Sequence, residues 1–261
     1  MFCGGSRPCC FITGASRGFG RSLAVTLARQ FSNSGIEGIF ILVSRSEDGL
    51  EETRKRIIDV CVGAKVHIMA TNLGEMSTLE DSIKTALCKV ESSKVTHAFL
   101  LNNAGSVGDV SKCLKEVCQK VDAVADYFNL NLTSPFFLIA KFLHYFKDTR
   151  CTLVNVSSLM AVQSFPYFSL YCTGKAARDM MCQVLAKEEP NVRVLNYAPG
   201  PLLTNMYEEI CSSCGNQEIV DMFNTSKEQG TALTSDQSAE KLVRILKENT
   251  FISGSHVDYF D

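Results

Sequence analysis

The sequence predicts an α/β fold: one doubly wound domain whose sheet has about seven parallel strands, with helices on both faces. Two observations carry this. Short apolar runs rich in β-branched and aromatic residues alternate along the chain with amphipathic segments of helix length, the pattern of repeated strand–helix–strand units. Most of those runs are continuously apolar, as strands covered on both faces are.

The first strand is expected at residues 9–13, followed by a helix at 18–31 that opens on a glycine-rich turn. The second strand, 38–43, leads into a helix at 47–61, and the third, 66–70, into one at 76–91. After the fourth strand, 97–101, a long helix is expected over 120–146. The fifth strand, 153–156, precedes a helix at 169–188, and the sixth is expected at 192–197. A helix at 236–247 and a short strand at 256–259 complete the pattern. The interval of about 198–234 is polar, with one helix-like piece at 203–214 inside it. A connection of that length in a compact domain reads as a lid or binding loop, here a substrate loop. No proline- or serine-rich linker, composition shift or internal repeat interrupts the chain, so residues 1–261 are read as one domain.

Composition excludes several function classes. The 26 Lys and Arg against 28 Asp and Glu give a net charge of −2, without the basic excess of a nucleic-acid binder. No apolar run reaches the roughly 18 residues of a membrane span. The N-terminal stretch MFCGGSRPCCFITG lacks a basic region followed by an apolar one, so no signal peptide is expected. A cytoplasmic location, with no nucleic-acid or membrane partner, follows as the expectation. The 12 cysteines are then expected as reduced thiols. Several of them (Cys9, Cys10, Cys88, Cys182) lie in apolar segments, where a thiol packs as a small hydrophobe. Cys211 and Cys214 form a CxxC with no second pair and no nearby His, so no metal is expected.

The first strand runs into Thr13-Gly14-Ala15-Ser16-Arg17-Gly18-Phe19-Gly20, spaced GxxxGxG. Glycines between a first strand and a first helix let backbone N–H groups approach a pyrophosphate, as in a Rossmann-like fold. The second strand ends at Ser44-Arg45-Ser46 with no acid at its tip. An acid there would accept from the 2′-OH of NAD, whereas arginine accommodates the 2′-phosphate of NADP. Arg17 and Arg45 therefore favour NADP(H), through charge-assisted bonds to a phosphate. The competing reading pairs both arginines with Glu47 or Asp48.

Tyr171 and Lys175 are four residues apart, hence on one face of a helix. A tyrosine with a pKa of about 10 becomes a workable acid–base group when positive charge nearby favours its phenolate. Upstream, a strand ends in Asn155-Val156-Ser157-Ser158, another in Asn102-Asn103-Ala104-Gly105, and Asn131 sits within a helical segment. The carboxyl edge of the sheet, where these would gather, is where ligands bind in open α/β folds.

On these residues the chain resembles the short-chain dehydrogenase/reductase family: TGxxxGxG at 13–20, NNAG at 102–105, Asn131, Ser158, YxxxK at 171–175 and Pro199-Gly200. The resemblance implies that the pro-S hydride of the nicotinamide goes to the carbonyl carbon while Tyr171 protonates the substrate oxygen, and that Lys175 binds the nicotinamide ribose and lowers the tyrosine pKa. It implies that Ser158, with Ser157 as runner-up, holds the carbonyl oxygen and that Asn131 supports a water-linked relay to Lys175. It also implies cofactor contacts from Gly14, Ser16, Arg17, Gly18, Phe19 and Gly20 in the turn, and from Arg45 and Ser46 after the second strand. Asn103, Leu202, Thr204 and Met206 complete that set with Tyr171 and Lys175. Where the family has an Asp and an apolar residue at the adenine, this chain has Asn72 and Leu73. A homodimer or tetramer built through long helices is expected, as the resemblance implies.

Longer stretches at 105–112, 174–180, 188–201 and 253–258 resemble family members that reduce side-chain carbonyls of pterins. A pterin's donor edge suits a carboxylate fork, and Asp258 is the candidate. Ser158, Leu159, Tyr171 and Gly200 are the other expected substrate contacts, with Phe165, Tyr167 and Met206 as apolar walls. Two alternatives stay open: a broad carbonyl and diketone reductase, and a non-catalytic NADPH-binding scaffold.

Overall fold

The computed structural model describes residues 6–117 and 120–261; residues 1–5, part of the stretch read for a signal peptide, lie outside the described residues. The chain runs β1 (Pro8–Thr13), α1 (Gly18–Asn33), β2 (Ile39–Ser44), α2 (Glu47–Val60), β3 (Lys65–Ala70) and α3 (Met76–Leu87). It continues through β4 (His97–Asn102), α4 (Leu114–Val117), α5 (Val121–Phe128), α6 (Ser134–Tyr145), β5 (Arg150–Val156) and α7 (Ser169–Glu188). β6 (Arg193–Ala198), α8 (Asn205–Ser213), α9 (Gln217–Glu228), α10 (Ser235–Glu248) and β7 (His256–Asp258) follow.

All seven strands join one parallel sheet in the order β3-β2-β1-β4-β5-β6-β7. The order reverses between β1 and β4, which puts the ligand crevice of a doubly wound sheet at the carboxyl ends beside that point. Successive strand residues face opposite sides, and each side has its own apolar layer. Phe40, Leu42, Leu101, Val154, Leu195 and Tyr197 pack with Phe19, Leu23 and Leu27 of α1 and Leu242 of α10. Phe11, Ile41, Leu100, Leu153 and Val194 pack on the other side with Ile83, Leu138, Phe142 and Cys182. α10 starts on a capping box in which the Thr234 hydroxyl accepts from Gln237 N–H and the Gln237 side chain accepts from Thr234 N–H, satisfying two orphan donors.

Three expectations are corrected. The single helix over 120–146 is divided: α5 and α6 are joined by a π-helical turn, Asn129–Thr133, with Asn131 in it. Helical periodicity runs through this turn, and one extra residue per turn leaves little trace in an apolar pattern. The 198–234 interval holds a second helix, α9, beyond the expected piece, and its base is closed where Leu202 bridges Leu233. Cys88, expected to pack, is exposed at the end of α3, whereas Cys9, Cys10 and Cys182 are buried. The ten described cysteines are all free thiols.

Candidate active site

Gly14 (φ +67°) and Gly18 (φ +54°) take left-handed backbone in the turn after β1, a conformation glycine reaches without steric cost. Gly20 answers a different need, because a Cβ there would stand 2.3 Å from the Gly14 carbonyl oxygen and 2.6 Å from Asn103 Nδ2. Arg17 enters α1 in extended backbone and offers no side-chain cap. The first-turn N–H groups, which helix geometry leaves without intrahelical acceptors, therefore face an anion without competition from a cap. Asn103 fastens the end of β4 to the turn: its Nδ2 donates to Thr13 O at 2.9 Å and to Gly14 O at 3.3 Å.

Ser44 Oγ donates to Ser16 Oγ at 2.7 Å. Arg21, which sequence reasoning missed, braces this turn by donating to Ser16 O, Gly49 O and Thr53 Oγ1. Arg17 and Arg45 are exposed, and among the described residues neither forms an ion pair with Glu47 or Asp48. The pairing alternative is thus not what the structure shows. Ser46 Oγ caps α2 by accepting from Gly49 N–H at 3.2 Å. The Phe19 ring lies in the core, stacked 6.2 Å from Tyr197, so what this residue can offer the turn is its backbone. Asn72 is exposed, its Oδ1 accepting from Gly74 N–H at 3.1 Å, and Leu73 is buried. Thr204 lies against the turn, its Cγ2 3.4 Å from where a Cβ on Gly18 would stand.

On the other side of the switch point, Ser158 hydrogen-bonds Tyr171 and accepts from Met160 N–H at 3.2 Å. Burial pushes the Tyr171 phenol up, while the Ser158 bond and the nearby Arg178 guanidinium pull it down. Lys175 is buried and donates to Val156 O at 2.6 Å, with Nζ 5.5 Å from the Tyr171 ring centre. Burial and the Arg178 charge push its ammonium well below the usual range, against the pull of Asp179. Asn131 Nδ2 donates to Tyr127 O at 2.8 Å, and its Oδ1 accepts from Ser106 N–H at 2.9 Å. Ser157, the runner-up, is buried with no partner for its hydroxyl among the described residues.

The structure brings Ser158, Tyr171 and Lys175 together but bonds Asp258 elsewhere. Asp258 ends β7 opposite Ala198, and its Oδ1 accepts from Phe260 N–H at 3.1 Å. Gly200 (φ +77°) turns the chain after β6, tight against Leu233, Tyr259 and Phe260. Phe165, Tyr167, Tyr171 and Met206 surround a small cluster of Val107, Val110, Met160, Phe168, Ile210 and Ile219. This cluster seats α8 and α9 on the loop after β4. Leu159 stays 46% exposed at its margin, so it is an open wall rather than a packed one.

Sequence reasoning also missed a buried polar row. Asn102, Asn155, Asn196 and His256 are register partners across β4, β5, β6 and β7. Arg178 and Asp179 of α7 lie on this row. Arg178 donates to Asn155 Oδ1 at 2.7 Å, Asn102 O at 2.5 Å and Ala104 O at 3.2 Å. Asp179 accepts from Asn155 Nδ2 at 3.0 Å and meets His256 Nδ1 at 2.6 Å. The Asp179 bond raises the His256 imidazole against the opposing effect of burial.

Fold and site together define an oxidoreductase of the short-chain dehydrogenase class: the sequence model described as short chain dehydrogenase matches residues 8–214, and the chain belongs to that family. Within it, the chain is 40% identical over 255 residues to the sepiapterin reductase of Meriones unguiculatus, covering 97% of this chain and 96% of that protein. It is 39% identical over 263 residues to the sepiapterin reductase of Rattus norvegicus, covering 99% of each. Among solved structures, a short chain dehydrogenase/reductase from Saccharomyces cerevisiae superposes with a TM-score of 0.81 at 25% identity, over 98% of this chain and 97% of that one.

Proposed function

We propose that the chain reduces side-chain carbonyls of pterins with NADPH, converting sepiapterin to dihydrobiopterin and 6-pyruvoyl-tetrahydropterin to tetrahydrobiopterin. The observation that carries this reading is the Tyr171 phenol of α7 beside Ser158, just past the end of β5, with a carboxylate at the end of β7 on the same carboxyl edge of the sheet, in a chain so similar to sepiapterin reductases.

The cradle fits a dinucleotide phosphate. Gly20 leaves no room for a side chain, α1 opens without a side-chain cap, and Arg17 and Arg45 are two unpaired exposed cations beside it. When bound, NADPH supplies a hydride to the carbonyl carbon. Tyr171 donates its phenolic proton to the carbonyl oxygen, which Ser158 orients with its hydroxyl. Lys175 holds a ribose, and Asn131, fixed by Tyr127 O and Ser106, supports the water-linked return of the proton. Gly14, Ser16, Gly18, Phe19, Ser46, Asn72, Leu73, Asn103, Leu202, Thr204 and Met206 complete the cofactor contacts in this reading. Leu159 and Gly200 line the substrate side. A cytoplasmic homodimer completes it, supported by exposed Phe136, Met180 and Val184 on α6 and α7; among the described residues no helix is long and apolar enough to cross a membrane.

Replacing Arg17 and Arg45 together by Ala is expected to cut the preference for NADPH over NADH by about 10- to 100-fold, the loss of charge-assisted bonds. Fluorescence titration of each cofactor reads it, and an unchanged ratio overturns the NADP assignment. The pterin reading is tested with Asp258→Ala. The KM for sepiapterin is expected to rise by about 10- to 100-fold with NADPH affinity unchanged. An unaltered KM sinks Asp258 as the pterin anchor. If the wild type instead turns over diacetyl with a kcat/KM equal to or above that for sepiapterin, the broad diketone reductase is the better description.

A further inference from the structure

β7 is three residues long and lies at the sheet edge, joined to β6 through three register pairs. So short an edge strand gains little definition from sheet hydrogen bonds alone. Its carboxyl end nevertheless carries the carboxylate that must meet a pterin to within hydrogen-bond tolerance. The structure holds the strand from the catalytic helix. His256 and Asp258 are two residues apart and so project from the same face, the face on which α7 lies. Asp179, its side chain 5% exposed, meets His256 Nδ1 at 2.6 Å and is fixed from the other oxygen by Asn155.

The helix geometry gives this link its meaning. Tyr171, Lys175 and Asp179 follow one another at intervals of four residues, so they form one stripe along α7. The proton donor, the cation beside it and the carboxylate that grips β7 thus share a rigid element. We propose that the Asp179–His256 pair sets the place of the Asp258 carboxylate relative to Tyr171, which makes His256 a positioning residue for the pterin ring. This rests on the reading of Asp258 as pterin anchor. The raised imidazole agrees with it, since a charged His256 grips Asp179 more strongly. The backbone on either side is tied separately, by Gly254 N–H to Val194 O at 2.7 Å and by Tyr259 N–H to Ala198 O at 2.9 Å, so loss of the His256 link releases the strand's α7-facing side without detaching the segment.

The test uses the full chain and two substrates, sepiapterin and diacetyl, the latter lacking any pterin edge. His256→Leu is expected to raise the sepiapterin KM by about tenfold or more, with kcat, diacetyl KM and NADPH affinity unchanged. His256→Asn restores the sepiapterin KM, because the Asn amide nitrogen takes the place of Nδ1. His256→Gln, whose amide nitrogen stands nearer the place of Nε2, behaves as Leu does and serves if the Leu variant fails to fold. A rise in KM for both substrates alike, or a fall in kcat in place of the KM effect, overturns the proposal in favour of general structural support. If Asp258→Ala raises the sepiapterin KM while the Leu and Gln variants do not, the anchor stands and the positioning role falls. If Asp258→Ala leaves that KM unchanged, the anchor reading falls and takes the positioning role with it.

Discussion

Tyr171→Phe is expected to lower kcat for sepiapterin by about 10²- to 10⁴-fold, the usual contribution of a positioned acid, with NADPH affinity close to wild type. The substitution removes one oxygen. The ring keeps its edge contact with Phe168, 6.3 Å between centres, and its place beneath Lys175. Only the proton donor and the Ser158 bond are lost, so single-turnover rates and a cofactor titration separate chemistry from binding. A kcat within a few-fold of wild type would mean that another group supplies the proton. The pH profile adds a signed check. Reduction needs the protonated phenol, so the rate falls as pH rises through the phenol pKa. The Ser158 bond pulls that pKa down, and Ser158→Ala therefore moves the alkaline limb to higher pH.

Arg178→Met is expected to have the largest effect on stability, about 3–5 kcal/mol by the measure of broken buried ionic networks. Arg178 is 1% exposed, and Met fills much of its volume without its donors. Asn155 Oδ1, Asn102 O and Ala104 O each lose a partner, and Asp179 is left buried without the neighbouring guanidinium. Unsatisfied buried acceptors cost more than the net worth of the bonds they made. At this chain length each kcal/mol is worth about 2–4 °C in Tm, so thermal or urea unfolding reads the change directly. A loss below about 1 kcal/mol would show that the loop after β4 relaxes to water its carbonyls. Arg178→Lys should fall between, because an ammonium keeps the charge but cannot span three acceptors as a fork does.

The sequence made the sheet legible because strands covered on both faces are written as unbroken apolar runs. It made the glycine turn and the Tyr171–Lys175 pair legible because both are local: spacing alone places them. The π-turn at Asn131 was hidden, since helix on either side gives the same apolar period. The second lid helix was hidden because α9 has mostly polar residues and buries only Ile219. Arg178 and Asp179 passed unnoticed for another reason. Adjacent opposite charges in a helix usually mark a solvated face, and only the folded sheet shows polar partners beneath them. One trace was available: an Asn stands inside the apolar runs of both β5 and β6, and Asn102 closes that of β4.

The row formed by Asn102, Asn155, Asn196 and His256 also bears on how the chain finds its fold. In a parallel sheet a slip of one residue turns every side chain to the opposite face. A slipped β5 or β6 would carry its Asn into the layer of Phe19, Leu23 and Leu242, where no donor or acceptor waits and burial is costly. The same slip would bring Val154 or Leu195 beneath Arg178 and Asp179. Three hydrophobic strands with nothing but Val and Leu to align them have many near-equivalent pairings. One polar mark in each leaves a single alignment in which all the marks meet.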